Sequence, residues 1–159
     1  MELFGGMCGG LQMLLDNGFT IRKYLYCDSS QEARTVAEYR IMSLHAKYPA
    51  QFPVSAWQDA FSLPQDVYQI TPDVLRDVGC ANGRQWCFIA GFECQDLSMA
   101  GKGRGLAGSR SKSFFPMLQI MGEMQAIQHS SALWPMYFIF LDNLHAHPRW
   151  FYNSSTGSL

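Results

Sequence analysis

The sequence predicts an α/β domain built on a mostly parallel sheet with helices on both faces. Strand-like segments alternate with stretches of helical periodicity, the pattern that places strands side by side in parallel. The segments around residues 86–90 and 136–141 are apolar throughout, as strands buried on both faces are. Glycine-rich turns follow strand ends, where open parallel sheets bind their ligands. The chain has 159 residues, of which 48% are apolar. That is enough for one domain with its own core and too little for two full ones. We read residues 1–150 as that domain and residues 151–159 as a polar tail.

Each element has its own signal. Glu2-Leu3-Phe4 is an apolar entry that reads as the end of a strand. After Gly5-Gly6-Met7-Cys8-Gly9-Gly10, the residues Leu11, Leu14 and Leu15 recur at helical spacing. Asn17-Gly18 closes that helix, because glycine tolerates a left-handed cap. Ile21 to Cys27 alternates and is rich in tyrosine, which predicts a second strand. Ser29 with Glu32 reads as a capping box, opening a helix through Ala33, Val36, Ala37 and Ile41 that ends at Tyr48-Pro49. Residues 50–65 are irregular. Pro72 suits a helix start, with Val74, Leu75 and Val78 on its apolar face. Trp86 to Ala90 is a buried strand, followed by a loop rich in Gly, Ser, Lys and Arg from Gly101 to Ser113. Pro116 fits a first helical position, leading a helix through Leu118, Met121 and Ile127. Met136 to Leu141 is a further buried strand.

Composition limits the function classes. Net charge is −1, so nucleic-acid binding has to come from a local patch. No apolar run is long enough to span a bilayer and no secretory leader is recognisable, so the expectation is an intracellular chain without a membrane partner. Cys8, Cys27, Cys80, Cys87 and Cys94 are odd in number and contain no CxxC pair, which argues against a disulfide framework and an all-cysteine zinc site. Two histidines, His145 and His147, do not make a metal site; none is assigned.

The glycine cluster Gly5-Gly6-x-x-Gly9-Gly10 follows the first strand directly. Glycines there let backbone approach a ligand, and the next helix offers unpaired N–H groups. Asp28 falls at the end of the second strand, roughly 20 residues on, where it can accept bonds from ribose hydroxyls. The spacing is not the GxGxxG of dinucleotide enzymes, which disfavours NAD. From spacing alone, a plain strand-to-helix turn with Asp28 as a helix cap accounts for the pattern equally well.

Gly91-Phe92-Glu93-Cys94-Gln95-Asp96-Leu97-Ser98 lies at the end of a buried strand, where α/β enzymes place catalytic groups. Here the chain resembles the cytosine-C5 methyltransferases. Glu2-Leu3-Phe4-Gly5-Gly6-Met7 resembles their opening Asp-Leu-Phe-Ser-Gly-Ile. Cys94-Gln95-Asp96-Leu97-Ser98 resembles their nucleophile loop. The stretch from Gly101 to Arg110 is similar to the loop after it, and Ser113-Phe114-Phe115 to the start of the next helix. Phe140-Leu141-Asp142-Asn143-Leu144 resembles the Glu-Asn-Val motif of a later strand. The matches occur in the family's order, from Glu2 to Leu144, and are closest in flavour to the animal de novo enzymes and the plant domains-rearranged type.

The resemblance implies a Rossmann-like class I methyltransferase sheet, incomplete at its C-terminal end, that binds S-adenosyl-L-methionine and methylates cytosine in DNA, in the nucleus if the chain is eukaryotic. It implies that Phe4, Gly6 and Gly9 line the methionine and adenosine, that Asp28 takes the ribose hydroxyls, and that Asp66 stands near the adenine amine. Cys94 is the implied nucleophile and Asp142 the acid at N3. Asn143, Gln95 and Ser98 fall on the substrate side, and Lys102, Arg104 and Arg110, with Lys112, would hold phosphates; a solvated loop is the plain alternative for these cations.

The chain departs from the family at Glu93, where proline is usual, and at Asp142, where glutamate is. No Gln-x-Arg-x-Arg strand or target-recognition region follows. Two other functions therefore stay open: cytosine-C5 methylation of RNA, and a non-catalytic homologue that binds or regulates an active methyltransferase subunit.

Overall fold

The structure, a computed structural model, describes residues 1–81, 85–91, 112–129, 137–140 and 152–153. They fall into two compact units, Met1–Gln69 and the residues from Ile70 onward.

In the first unit, β1 (Glu2–Leu3) and β2 (Tyr26–Cys27) pair in parallel, with Glu2 opposite Tyr26 and Leu3 opposite Cys27. Parallel neighbours need a crossover, and α1 (Gly9–Asp16) supplies it. Its residues Leu11, Leu14 and Leu15 turn inward, and Gly18, at φ 81°, ends it as expected. The second helix, α2, is Gln31–Lys47, and Tyr48 closes it. Its cap is Ser30 rather than Ser29: the Ser30 Oγ accepts the Ala33 N–H at 3.1 Å, while Asp28 Oδ1 accepts the Ser30 N–H at 2.9 Å and fixes the turn before it. Ala37, Ile41 and Leu44 form the buried face; Val36 is solvent-facing.

The strand expected from Ile21 to Cys27 is reduced to its last two residues. Its earlier N–H groups turn instead to the irregular stretch, Ile21 donating to the Gln51 carbonyl and Tyr24 to that of Ala56, and Tyr26 of β2 itself donates to that of Ala60, at 2.7–2.8 Å. That stretch contains one turn of helix, α3 (Val54–Trp57), begun by Pro53. Phe52, Ala56 and Ala60 enter one core with Leu11, Leu15, Tyr24, Tyr26, Ile41 and Leu44.

In the second unit, α4 (Pro72–Asp77) has proline in its first turn, and the Thr71 hydroxyl oxygen accepts the Val74 N–H. The strand β3 (Cys87–Ala90) pairs in parallel with β4 (Tyr137–Phe140), ending with Ala90 opposite Phe140. The helix α5 (Phe114–His129) begins two residues before Pro116, whose missing N–H does no harm within a first turn. Its buried stripe is Met117, Ile120, Met124 and Ile127, one residue out of phase with the expected Leu118 and Met121; Leu118 is exposed. Of the segment 151–159, the described residues Tyr152–Asn153 form β5, which pairs antiparallel with β4. Strands paired in parallel and accompanied by helices make the chain α/β. Among the described residues no helix is long and apolar enough to cross a membrane.

Candidate functional site

The turn from β1 to α1 is tightly determined. Phe4, Gly6 and Cys8 have φ of 55°, 48° and 58°, so alternate residues lie in the left-handed region that non-glycine side chains rarely enter. Gly5 is required sterically: a Cβ there would lie 2.5 Å from Cε2 of the fully buried Tyr26 ring. The Tyr26 hydroxyl donates to the Gly6 carbonyl at 2.9 Å and pins the ring under the turn. Gly6 and Gly9 differ from Gly5, because a Cβ at either would meet nothing within 4 Å. Their Cα atoms face open space, as the approach of a ligand requires.

Asp28, just past β2, is half-buried and reaches this turn. Its Oδ2 accepts the Gly6 N–H at 3.0 Å and its Oδ1 the Ser30 N–H. The two readings of this residue are thus compatible: it caps the turn before α2, and each oxygen keeps a further lone pair for a hydroxyl donor. Asp66 is exposed, with its Oδ1 accepting the Tyr68 N–H at 3.0 Å. Both carboxylates act on the Cys27 thiol, so Asp66 stands at the same end of β2 as Asp28. Burial first, and then these two charges, push that thiol up to about 12.

One expectation for the turn needs correction. Two of the first N–H groups of α1, those of Gly10 and Leu11, are not left open to a ligand, because Glu2 takes them. This side chain is only 2% exposed. Its Oε1 accepts the Gly10 N–H and its Oε2 the Leu11 N–H, both at 3.0 Å, and the Tyr24 hydroxyl donates to Oε2 at 2.7 Å. All three partners are donors, the set that an ionised carboxylate takes, and the α1 dipole favours the same charge. Burial pushes the carboxyl upward from its ordinary range, and the bonds from Tyr24, Gly10 and Leu11 partly oppose this. Cys8 is hydrogen-bonded to Tyr24 in turn, and its thiol, buried beside Glu2, is raised to about 12.

Sequence reasoning missed Glu2 as a cap, although a charged residue inside a short apolar strand was a visible signal. It also missed Arg34, whose guanidinium lies 4.9 Å over the Phe61 ring and whose charge acts on Tyr26 and Cys27. One of its terminal nitrogens is buried without a partner among the described residues. Nothing in the spacing of Arg34 announced this.

The structure therefore brings Phe4, Gly6, Gly9 and Asp28 together, with Asp66 beyond the same strand end. Cys94, Gln95, Ser98, Lys102, Arg104, Arg110, Asp142 and Asn143 lie outside the described residues, as do His145 and His147. The two strands that lead to the proposed catalytic segments are described: β3 ends four positions before Cys94, β4 ends two before Asp142, and these ends are paired. Among the described residues no three potential metal ligands lie together. The chain matches no known protein family, and no curated protein is detectably similar to it.

Proposed function

We propose that the chain is the cofactor-binding and catalytic part of a cytosine-C5 DNA methyltransferase with a Rossmann-like class I sheet. The observation that carries this reading is the turn itself. Two glycines facing open space and the Asp28 carboxylate converge at the carboxyl ends of parallel strands, the place where such sheets hold a nucleoside. The residues present suit S-adenosyl-L-methionine: Asp28 retains acceptor capacity for ribose hydroxyls, Asp66 stands past the same strand, and Phe4 and Gly9 belong to the same turn as Gly6. When bound, this cofactor supplies an electrophilic methyl group on a positively charged sulfur.

The rest of the chemistry belongs to the chain. C5 of cytosine is too weak a nucleophile unaided, and addition of the Cys94 thiolate to C6 makes it enamine-like, which is covalent catalysis. Asp142 gives a proton to N3 as charge develops there. C5 would then take the methyl group as its bond to the cofactor's sulfur breaks, leaving a neutral thioether; the C5 proton leaves to a base, N3 returns its proton to the Asp142 carboxylate, and the Cys94 thiolate departs as the ring recovers its aromaticity. The base has to leave its stack for this to happen, and Lys102, Arg104 and Arg110 hold the strand by phosphates while Gln95, Ser98 and Asn143 face the pyrimidine. Support comes from the paired ends of β3 and β4, which start the Cys94 and Asp142 segments from adjacent strands.

A 5-fluorocytosine oligonucleotide tests the reading, because fluorine blocks loss of the C5 substituent and freezes the adduct. With added cofactor the wild type forms a covalent complex stable to denaturation, and Cys94→Ser forms none. Equal trapping by both, or by neither, refutes the proposal. An RNA oligonucleotide in the same assay separates the RNA-directed reaction.

A further inference from the structure

We infer that Glu2 makes the turn between β1 and α1 selective for a ligand that carries positive charge, and no phosphate, at this point. The inference rests on the reading that the turn seats S-adenosyl-L-methionine, and it goes further by assigning the charge selection to one residue. Phosphate-binding turns of this strand-turn-helix kind use the first N–H groups of the helix as an anion seat. Here two of those groups, from Gly10 and Leu11, end on the Glu2 carboxylate, which is held from the third side by Tyr24. Those two places of the anion seat are filled by the chain itself. A phosphate brought to the glycines would find a buried carboxylate behind the backbone and Asp28 beside it, where a phosphate-binding turn has free donors. Of the cations nearby, Arg40 bonds the Gln12 side chain, and Arg34 lies over Phe61 with one buried nitrogen left unpartnered among the described residues. A sulfonium is the opposite case, because its charge gains from the same two carboxylates without displacing any bond.

Glu2 acts through the field and through the backbone that it holds, so it is a positioning residue, and its test must separate charge from architecture. Calorimetric titration at pH 8 with S-adenosylmethionine and S-adenosylhomocysteine does so, since the two differ by one methyl group and by the sulfur's charge. A merely structural loss in Glu2→Gln weakens both ligands together, whereas loss of charge selection changes their ratio. The wild type is expected to prefer the sulfonium by about threefold or more, as charges interact strongly at low dielectric. Glu2→Gln is expected to lose that preference. Adenosine and ADP provide a second measurement that needs no variant: ADP binds the wild type no more tightly than adenosine. Tighter binding of ADP overturns the inference, and so does a sulfonium preference retained in folded Glu2→Gln while the cofactor reading survives. Absence of binding by S-adenosylmethionine removes the cofactor reading and this inference with it.

Discussion

Gly5 and Gly6 are neighbours in sequence, but substitution to alanine will act on them by different physics. In Gly5→Ala the new Cβ would stand 2.5 Å from Cε2 and 2.8 Å from Cδ2 of Tyr26. Ordinary carbon contacts are about 3.5–4.0 Å, so ring or backbone has to move by about 1 Å. The ring has nowhere to go: it is fully buried, its hydroxyl is bonded to Gly6, and it meets Phe61 edge-on at a centroid distance of 5.4 Å. Overpacking of this kind costs about 1–3 kcal/mol, and losing the tyrosine hydrogen bond adds about 1 kcal/mol. A total of about 2–4 kcal/mol corresponds to a fall in melting temperature on the order of 5–15 °C for a chain of this size. In Gly6→Ala the side chain has room, and only the left-handed backbone is penalised, by about 1–2 kcal/mol. Urea denaturation of both variants, with Gly5→Ala repeated on a Tyr26→Leu background, measures the difference. The clash predicts a coupling between positions 5 and 26 of about 1 kcal/mol or more. A Gly5→Ala variant within about 0.5 kcal/mol of the wild type, a spread typical of neutral surface changes, would refute this account of the turn.

Three other outcomes are expected. Glu2 binds its proton more tightly in the folded chain than its ordinary value of 4.5 allows, because of burial. Its contribution to stability is therefore complete below that value and is lost as pH rises through the raised one; the stability of the wild type relative to Glu2→Gln should fall from pH 4.5 upward, and a constant difference contradicts this. Cys8 and Cys27, both raised to about 12 by burial first, should resist alkylation at pH 8 until denaturant is added, as mass spectrometry of labelled peptides can determine. Ser30→Ala should cost about 1 kcal/mol in chemical denaturation through loss of the α2 cap, while Ser29→Ala should leave stability unchanged.

What the sequence revealed depended on whether a residue's partners were local. The β1–α1 turn, the end of α1 at Gly18 and the start of α4 at Pro72 were legible, because each is set by the conformational limits of glycine or proline. Asp28 was legible by its distance from the glycines. The capping role of Glu2 was not, since its partners Gly10, Leu11 and Tyr24 come together only when β1 and α1 fold over each other. The short length of β2 was hidden for the same reason. Ile21 to Leu25 has the composition of a strand, but its N–H groups are claimed by carbonyls some 30 residues away in a segment that carries no periodic signal. The phase error on α5 arose because Met117 and Leu118 are equally apolar, and only the packed neighbours decide which turns inward.

The run of bonds from residues 21–26 to residues 51–60 has a consequence for the life of the chain before and after folding. A terminal strand with bare donors invites docking by stray extended polypeptide, the first step toward fibrils. Here the outward donors of Ile21, Tyr24 and Tyr26 are sealed by what looks in the sequence like dispensable linker. Trimming or replacing that linker would unmask a sticky rim, and solubility would fail before any chemistry did.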